Sequence, residues 1–126
     1  MIETLRTKIY SQLNSITAIA NKVFYAEAVT GTTLPYVVFF DVVNNKTRDT
    51  GTIFEETYLQ VSIFTKTASE VNSIGNSILG KIVDKETTLT TTDWIVNYAD
   101  LQFSRTIKTE YGFQGDYQFR LFLTKK

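Results

Sequence analysis

The sequence predicts an α+β fold in which two helices pack on a mainly antiparallel four-stranded sheet, in the order α-β-β-α-β-β. Two segments carry apolar residues at every third or fourth position, which is typical of helices with one buried face. Four other segments alternate between apolar and polar residues or are apolar throughout, as strands do. Because one helix stands between two pairs of strands, it can cross back over the sheet, and both helices then share one face. We predict a single domain that spans residues 1–126.

The first predicted helix covers about residues 2–19. Its apolar face consists of Ile2, Leu5, Ile9, Leu13 and Ile16. Charges of both signs occupy the rest of its surface, which favours a helix that covers the core over one that lies on a membrane. Val23–Tyr25 is predicted to form a short extended piece before a loop.

The first predicted strand follows the only proline of the chain. Pro35 cannot donate a hydrogen bond to a neighbouring strand, so it suits the start of a strand. Tyr36–Val43 is apolar on both alternating faces and is interrupted only by Asp41. This pattern is typical of a central strand, or of one whose second face is covered by the first helix or a neighbouring subunit. We expect Val38 and Phe40 to lie in the core.

A return strand completes the first predicted hairpin. Asn44–Thr52 is polar and contains a glycine, which favours a solvated loop. Ile53–Thr65 is predicted to be the return strand. Its alternation places Leu59, Val61 and Ile63 on one face, which we expect to pack on the helices.

The second predicted helix begins with a capping box. Thr67 stands at the N-cap position and Glu70 three residues later, and helical spacing of apolar residues continues over about residues 68–83. Gly75 and Gly80 each weaken a helix by about 1 kcal/mol relative to alanine. We therefore expect both to allow a close approach of this helix to the sheet or to the first helix.

The second half of the chain predicts another pair of strands. A polar link over residues 84–93 leads to a strand from Trp94 to Phe103. Ser104–Gly115 is predicted to be an irregular loop, since Gly112 and Gly115 suit a turn. Asp116–Thr124 alternates cleanly and is predicted to be the last strand.

Composition excludes several classes of function. Thirteen basic residues balance thirteen acidic ones, so no long-range attraction for nucleic acid or anionic lipid is expected. The chain has no cysteine and no histidine, which removes disulfides, common structural zinc sites and the usual general base. We expect no enzyme, no cofactor and no metal. No apolar run is long enough to span a bilayer and no signal peptide is visible, so we expect a soluble product of the cytoplasm.

No local motif carries recognisable chemistry. The glycines form no phosphate-binding loop. Glu55 and Glu56 are adjacent on a predicted strand and therefore point to opposite faces. Arg105 and Lys108 lie among aromatic residues, as in some proteins that bind single-stranded nucleic acid, but the alternation that follows them favours a core role for those aromatics.

The chain resembles the tail terminator or tail-completion (head–tail joining) proteins of tailed bacteriophages. In that family a Pro-Tyr-Val strand like Leu34–Phe39 follows an amphipathic helix. A strand like Tyr58–Phe64, a helix like Thr67–Val83 and a final hairpin like Leu101–Leu123 come next. The resemblance covers nearly the whole chain and rests on short structural motifs.

The resemblance implies a structural virion protein of α+β fold. Such proteins form rings, typically hexamers, at the head-proximal end of the tail. The ring ends growth of the tail tube and joins the tail to the filled head, and DNA passes through the lumen without being read. The implied partners are further copies of the chain, the tail-tube protein and a head-completion protein. The implied location is the virion, after synthesis in the host cytoplasm.

A closed ring needs a contact in which one patch meets a different patch on the neighbour. We take the charged and aromatic residues of the two predicted loops as candidates for contacts with another subunit or partner. They are Lys46, Arg48 and Asp49 in the first loop, and Arg105, Lys108, Glu110, Tyr111 and Phe113 in the second. Whether Tyr111 and Phe113 dock on a partner or fold back on the core stays open at this point.

Two other functions remain as alternatives. One is a small α+β protein-binding or ligand-binding module of bacterial or prophage origin. The other is an enzyme, which would need a polar pocket with strongly perturbed carboxylates.

Overall fold

Five strands form one mixed sheet in the computed structural model, which describes every residue from Met1 to Lys126. The spatial order is β1-β2-β3-β5-β4, with β1 parallel to β2 and all other neighbours antiparallel. The strands are β1 Val23–Tyr25, β2 Tyr36–Asp49, β3 Thr52–Thr65, β4 Trp94–Thr109 and β5 Gly112–Lys125. The helices are α1 Glu3–Asn14, α2 Ala68–Ile82 and α3 Glu86–Leu89, with a 3₁₀ turn at Thr17–Ile19.

The α+β class is confirmed, but the four-stranded sheet with two helices is wrong in two respects. Val23–Tyr25 pairs in parallel with Val37–Phe39 and adds a fifth strand. The polar link contains α3, which is anchored by the fully buried Leu89. Each added element is only three or four residues long, so neither shows a hydrophobic period in the sequence.

Helix α1 buries the face that its apolar spacing predicts. Leu5, Ile9 and Leu13 are fully inaccessible to solvent. The helix ends at Asn14, before the predicted end at residue 19. There the carboxamide oxygen of Asn14 accepts a hydrogen bond from the backbone N–H of Asn21 at 2.7 Å, across the turn that leaves the helix.

Helix α2 begins at its predicted cap, because the hydroxyl of Thr67 accepts a hydrogen bond from the backbone N–H of Glu70 at 3.2 Å. Gly75 is buried, and a Cβ atom there would lie 2.0 Å from the hydroxyl oxygen of Tyr117 on β5. The predicted close approach is therefore confirmed at Gly75. It is wrong at Gly80, which is exposed and where a Cβ atom would have no neighbouring atom within 4 Å.

Both predicted loops are wrong, since β-ladders run through them. In the first hairpin only Thr50 and Gly51 lie outside the strands, and their φ angles of 46° and 83° suit a two-residue turn. In the second, only Glu110 and Tyr111 lie outside. The outer halves of β2 and β4 are polar and exposed, so backbone hydrogen bonds hold them where no apolar pattern exists.

The core lies between the sheet and the helices. Val37 and Phe39 of β2 are fully buried there, together with the predicted face of Leu59, Val61 and Ile63. The helices therefore cover the second apolar face of β2. The sequence left this face to be covered either by the first helix or by a neighbouring subunit. The expectation that Phe40 lies in the core is wrong, because this ring points to the opposite face of the sheet and is only half-buried. Val38 shares that face and is buried.

Candidate assembly interface

One face of the sheet carries no helix, and we call it the open face. Side chains that pair directly across neighbouring strands share a face, so the register assigns its members. Along the central strands they are Phe54, Glu56, Tyr58, Gln60, Ser62 and Phe64 of β3, and Gln114, Asp116, Gln118, Arg120, Phe122 and Thr124 of β5. The flanking strands contribute Tyr36, Val38 and Phe40 of β2, and Tyr98, Phe103, Arg105 and Ile107 of β4.

A hydrogen-bonded polar network occupies the centre of the open face. Asp116 is 1% exposed, and its carboxylate accepts hydrogen bonds from Ser62 Oγ at 2.8 Å, Gln114 Nε2 at 2.9 Å and Arg105 Nε at 2.9 Å. Burial by itself raises the pKa of this carboxyl, but the three donors outweigh burial and the pKa is lowered. Asp116 is therefore ionised at neutral pH, and Arg105 is already engaged within its own chain.

Aromatic clusters flank this network on both sides. Next to β1, Tyr36 stacks on Phe64 with ring centroids 4.8 Å apart, and Phe24 meets Tyr36 edge-on at 6.4 Å. At the other end of β3, Phe54 stacks on Phe122 at 5.7 Å. These rings are half-buried, so the open face presents aromatic surface to whatever lies against it.

The second aromatic cluster continues into an ion pair. The guanidinium of Arg120 lies over the ring of Tyr98, 5.6 Å from its centroid, and Nε donates a hydrogen bond to Glu56 at 2.8 Å. This hydrogen bond is the main reason that the pKa of the Glu56 carboxyl is lowered. The three side chains tie together three neighbouring strands, β3, β5 and β4.

Both edges of the sheet are largely free. β1 covers β2 only along Val37–Phe39, so the outer half of β2 has no neighbour on that side. The first half of β4 accepts backbone hydrogen bonds from the segment after α2, from Asp84 N–H to the Ala99 oxygen at 3.3 Å and from Thr91 N–H to the Trp94 oxygen at 2.9 Å. The outer half of β4 has no neighbouring strand on that side, and it exposes Phe103 and Ile107. Unpaired strand edges are templates for pairing with another chain. A chain of this size with two such edges is suited to lateral association.

The two groups of predicted interface residues lie at opposite ends of the sheet. The turn of the first hairpin lies beside the end of β5, because Phe54 pairs with Thr124. The turn of the second lies beside the end of β3, because Thr65 pairs with Phe113. The structure therefore does not bring the two groups into one patch.

The first group stands on the outer half of β2 and is exposed throughout. Lys46 pairs across the strands with Glu55, and Arg48 pairs with Ile53, which places both on the helix side of the sheet. Asp49 ends the strand beside the turn.

Besides Arg105, the second group contains two exposed charged residues, one exposed aromatic residue and one half-buried aromatic residue. Lys108 and Glu110 are exposed and make no ion pair within the chain. Tyr111 is 82% exposed at the turn. Phe113 is half-buried and packs against the core. Of the two aromatic residues, Phe113 therefore folds back on the core, whereas Tyr111 is free to meet a partner.

Sequence reasoning missed the surroundings of two carboxylates, one half-buried and one buried. Asp41, the one polar interruption of the first strand, binds the ammonium group of Met1 at 3.0 Å and the hydroxyl of Tyr25 at 2.5 Å. Hydrogen bonds from these groups and from Asn44 lower the pKa of Asp41, although burial opposes them. Glu55 is buried with its Oε2 atom unpartnered. The signal for Asp41 is its place inside an apolar run, whereas nothing in the sequence marks Glu55 as buried.

The structure contains no group of three or more Asp and Glu side chains placed to hold a metal ion. None of its helices has both the length and the apolar character needed to cross a membrane. What the arrangement offers is surface: two free strand edges, an aromatic open face and one protruding tyrosine.

The comparisons with known proteins establish the fold. No protein-family model matches the chain, and no curated protein matches it. Among solved structures, it is similar to a chain from the structure described as "Virion of native gene transfer agent (GTA) particle", with a TM-score of 0.80 at 14% sequence identity. The similarity covers 97% of this chain and 95% of the other. The two chains therefore share one fold over nearly their whole lengths.

Proposed function

We propose that this chain is a structural protein of a phage-like virion and acts as a tail terminator. Copies would form a ring, of six subunits in the form that we favour, at the head-proximal end of the tail. The ring would stop growth of the tail tube and join the tail to the DNA-filled head. The protein works by contact alone in this proposal, without catalysis, cofactor or metal.

The observation that carries the proposal is the fold likeness to a chain of a gene transfer agent virion. It extends over 97% of this chain, so the two folds correspond over nearly the whole chain. With β1 and α3 set aside, the order of the longer elements also agrees with the order that the resemblance to tail-completion proteins implies. The free edges of β2 and β4 support assembly, because they lie on opposite sides of the sheet and can serve as the two different patches of a ring contact.

The proposed partners follow from the position of such a ring. One face would meet the tail-tube protein and the other a head-completion protein. DNA would pass through the lumen without sequence recognition, which suits a chain whose basic and acidic residues are equal in number. The proposed location is the virion, at the junction of head and tail.

Deleting the gene from the phage-like element that encodes it tests the proposal. We expect electron micrographs to show tail tubes of uncontrolled length and heads without tails. Expression of the wild-type chain in trans is expected to restore joined particles with tails of one length. Normal joined particles in the deletion strain would contradict a terminator. Separate tails of one uniform length would contradict it as well.

A further inference from the structure

A hollow on the open face is bordered by amide oxygens and by one unpaired carboxylate. It lies beside Tyr36 and Phe64 and has a volume of about 380 Å³. We call it the Glu27 hollow, after the only charged residue that lines it. We propose that the Glu27 hollow binds the side chain of an arginine that another virion protein presents. In naming a virion protein as the partner, this inference rests on the proposed function.

The buried carboxylate of Asp116 fixes the orientation of the polar groups at the hollow. A carboxylate only accepts hydrogen bonds, so Ser62 Oγ and Gln114 Nε2 both donate to it, at 2.8 Å and 2.9 Å. Because the proton of Ser62 Oγ is used in this way, that oxygen accepts a hydrogen bond from Gln60 Nε2 at 3.1 Å. Both amide nitrogens are thus directed at the network, and neither Oε1 atom accepts a hydrogen bond within the chain. Both glutamines line the hollow, which therefore presents two carboxamide oxygens that lack a donor.

Glu27 adds a negative charge that no basic group of the chain neutralises. It is exposed and makes no ion pair. A tight turn holds it, since its backbone N–H donates to the carbonyl of Tyr25 at 2.8 Å and the N–H of Ala26 donates to that of Phe39 at 2.9 Å. Ala26 has a φ angle of 67° in this turn, which residues with a Cβ atom rarely adopt. The chain therefore maintains an unfavourable backbone conformation at the point that sets this carboxylate beside the hollow.

The floor of the hollow suits a planar cation. Tyr36 stacks on Phe64 with ring centroids 4.8 Å apart, and Val38 and Phe40 extend the apolar surface. A guanidinium stacks on aromatic rings, and its five N–H donors lie in one plane. One arginine can therefore donate to the carboxylate and to the amide oxygens while its aliphatic stem covers the apolar floor. The compact ammonium of a lysine lacks this planar shape, so we expect arginine.

The chain itself supplies no cation to the hollow. Three of its four arginines engage acidic or aromatic side chains of their own chain, namely Arg6, Arg105 and Arg120. Arg48 is exposed beside the first turn, at the other end of the sheet and on the side of the helices. Tyr111 borders an adjoining hollow that shares part of the same floor, but it brings no positive charge. We therefore expect the counterion of Glu27 on another protein.

Titration with capped tripeptides tests the site on the purified chain. The probe is acetyl-Gly-Arg-Gly-amide, and the control peptide has citrulline, which keeps the shape and loses the charge, in place of arginine. We expect saturable NMR shifts of the side-chain amides of Gln60 and Gln114 with the arginine peptide. Binding of the citrulline peptide should be at least about tenfold weaker. Equal binding of the two peptides, or no saturable shift from either, would overturn the inference.

A neutral variant tests the contribution of the carboxylate. Glu27→Gln is expected to weaken binding of the arginine peptide by about threefold to fivefold, as the loss of an exposed charge pair does. Asp93→Asn is the matched control, because Asp93 is an exposed carboxylate next to Trp94 at the other end of the sheet, and it should leave binding unchanged. Circular dichroism checks that both variants keep the fold. Equal effects of the two variants would show that Glu27 does not bind the arginine.

Cross-linking in assembled particles identifies the partner. A photo-reactive benzoylphenylalanine replaces Ala28, which lines the hollow, and mass spectrometry identifies the linked peptide. We expect an arginine-containing peptide of a different virion protein. A link to another copy of this chain, a linked peptide without arginine, or no link from particles that carry the variant would overturn the inference.

The peptide titration does not depend on particle assembly. A chain that binds no arginine peptide but lies at the junction of head and tail would leave the proposed function standing. A chain that binds the peptide but is absent from that junction would instead contradict the proposed function. The two failures are thus distinguishable.

Discussion

Arg105 and Asp116 form an ion pair across β4 and β5, with 2.9 Å between Nε and a carboxylate oxygen. Asp116 is almost fully buried, whereas 62% of the Arg105 side chain is exposed. The guanidinium thus covers a carboxylate that no helix covers. A residue predicted to contact a partner has its charge satisfied within the chain, and it ties the free-edge strand β4 to the centre of the open face.

Removal of this carboxylate should destabilise the fold. Asp116→Ala leaves the donors of Ser62, Gln114 and Arg105 without their common acceptor, and we expect a loss of about 1–3 kcal/mol of unfolding free energy. Urea unfolding at pH 7 measures it. Asp93→Ala is the control, since Asp93 is exposed, and it should change stability by less than about 0.5 kcal/mol.

The carboxylate of Asp116 should also make the free energy of unfolding depend on pH in the acid range. Its pKa is lower in the folded chain than the ordinary value of 3.8, so its contribution is complete above that value and is lost as the pH falls below it. The stability difference between the wild type and Asp116→Ala should therefore shrink as the pH falls from about 5 to about 2. A difference that stays constant over this range would show that the ionised form does not stabilise the fold.

Adjacent phenylalanines on β2 should differ in their contribution to stability. Phe39 is fully buried in the core, and Phe39→Ala should cost about 3–5 kcal/mol. Phe40→Ala should cost clearly less, because this ring lies half-buried on the open face. Chemical unfolding of the two variants measures the difference, and equal losses would contradict the assignment of faces.

The two glycines of α2 should respond in opposite directions to alanine. Gly75→Ala places a Cβ atom against the ring of Tyr117 and should destabilise the protein by about 1–3 kcal/mol. Gly80→Ala meets no atom and should stabilise it by up to about 1 kcal/mol, through helix propensity alone. Melting temperatures report both changes, and a stable Gly75→Ala variant would show that helix and sheet do not meet there.

Hydrophobic periodicity predicts the parts of the fold that contact the core. The buried face of α1, the cap at Thr67 and the Leu59 face of β3 all follow from spacing or from local capping chemistry. The outer halves of both hairpins read as loops in the sequence because they extend beyond the helix layer. Backbone hydrogen bonds form these ladders, and they impose no pattern on the side chains.

The candidate interface is also predictable only in part, because it depends on packing and strand pairing that leave no pattern in the sequence. Exposure of Tyr111 at a turn is consistent with its polar neighbours, but the same neighbours do not reveal that Phe113 turns back to the core. The hollow beside Tyr36 and Phe64 on the open face depends on the pairing of β1 with β2, which brings residues 26–28 next to that face. A pairing of three residues leaves no signal in the sequence.

Localisation of the protein in the assembled particle tests the central claim most directly. Intact particles are labelled with gold-conjugated antibody raised against the purified chain and viewed by electron microscopy. The proposed role predicts label at the junction between head and tail and none elsewhere on the particle. Label on the capsid surface or at the far tip of the tail, or particles free of the protein, would contradict it.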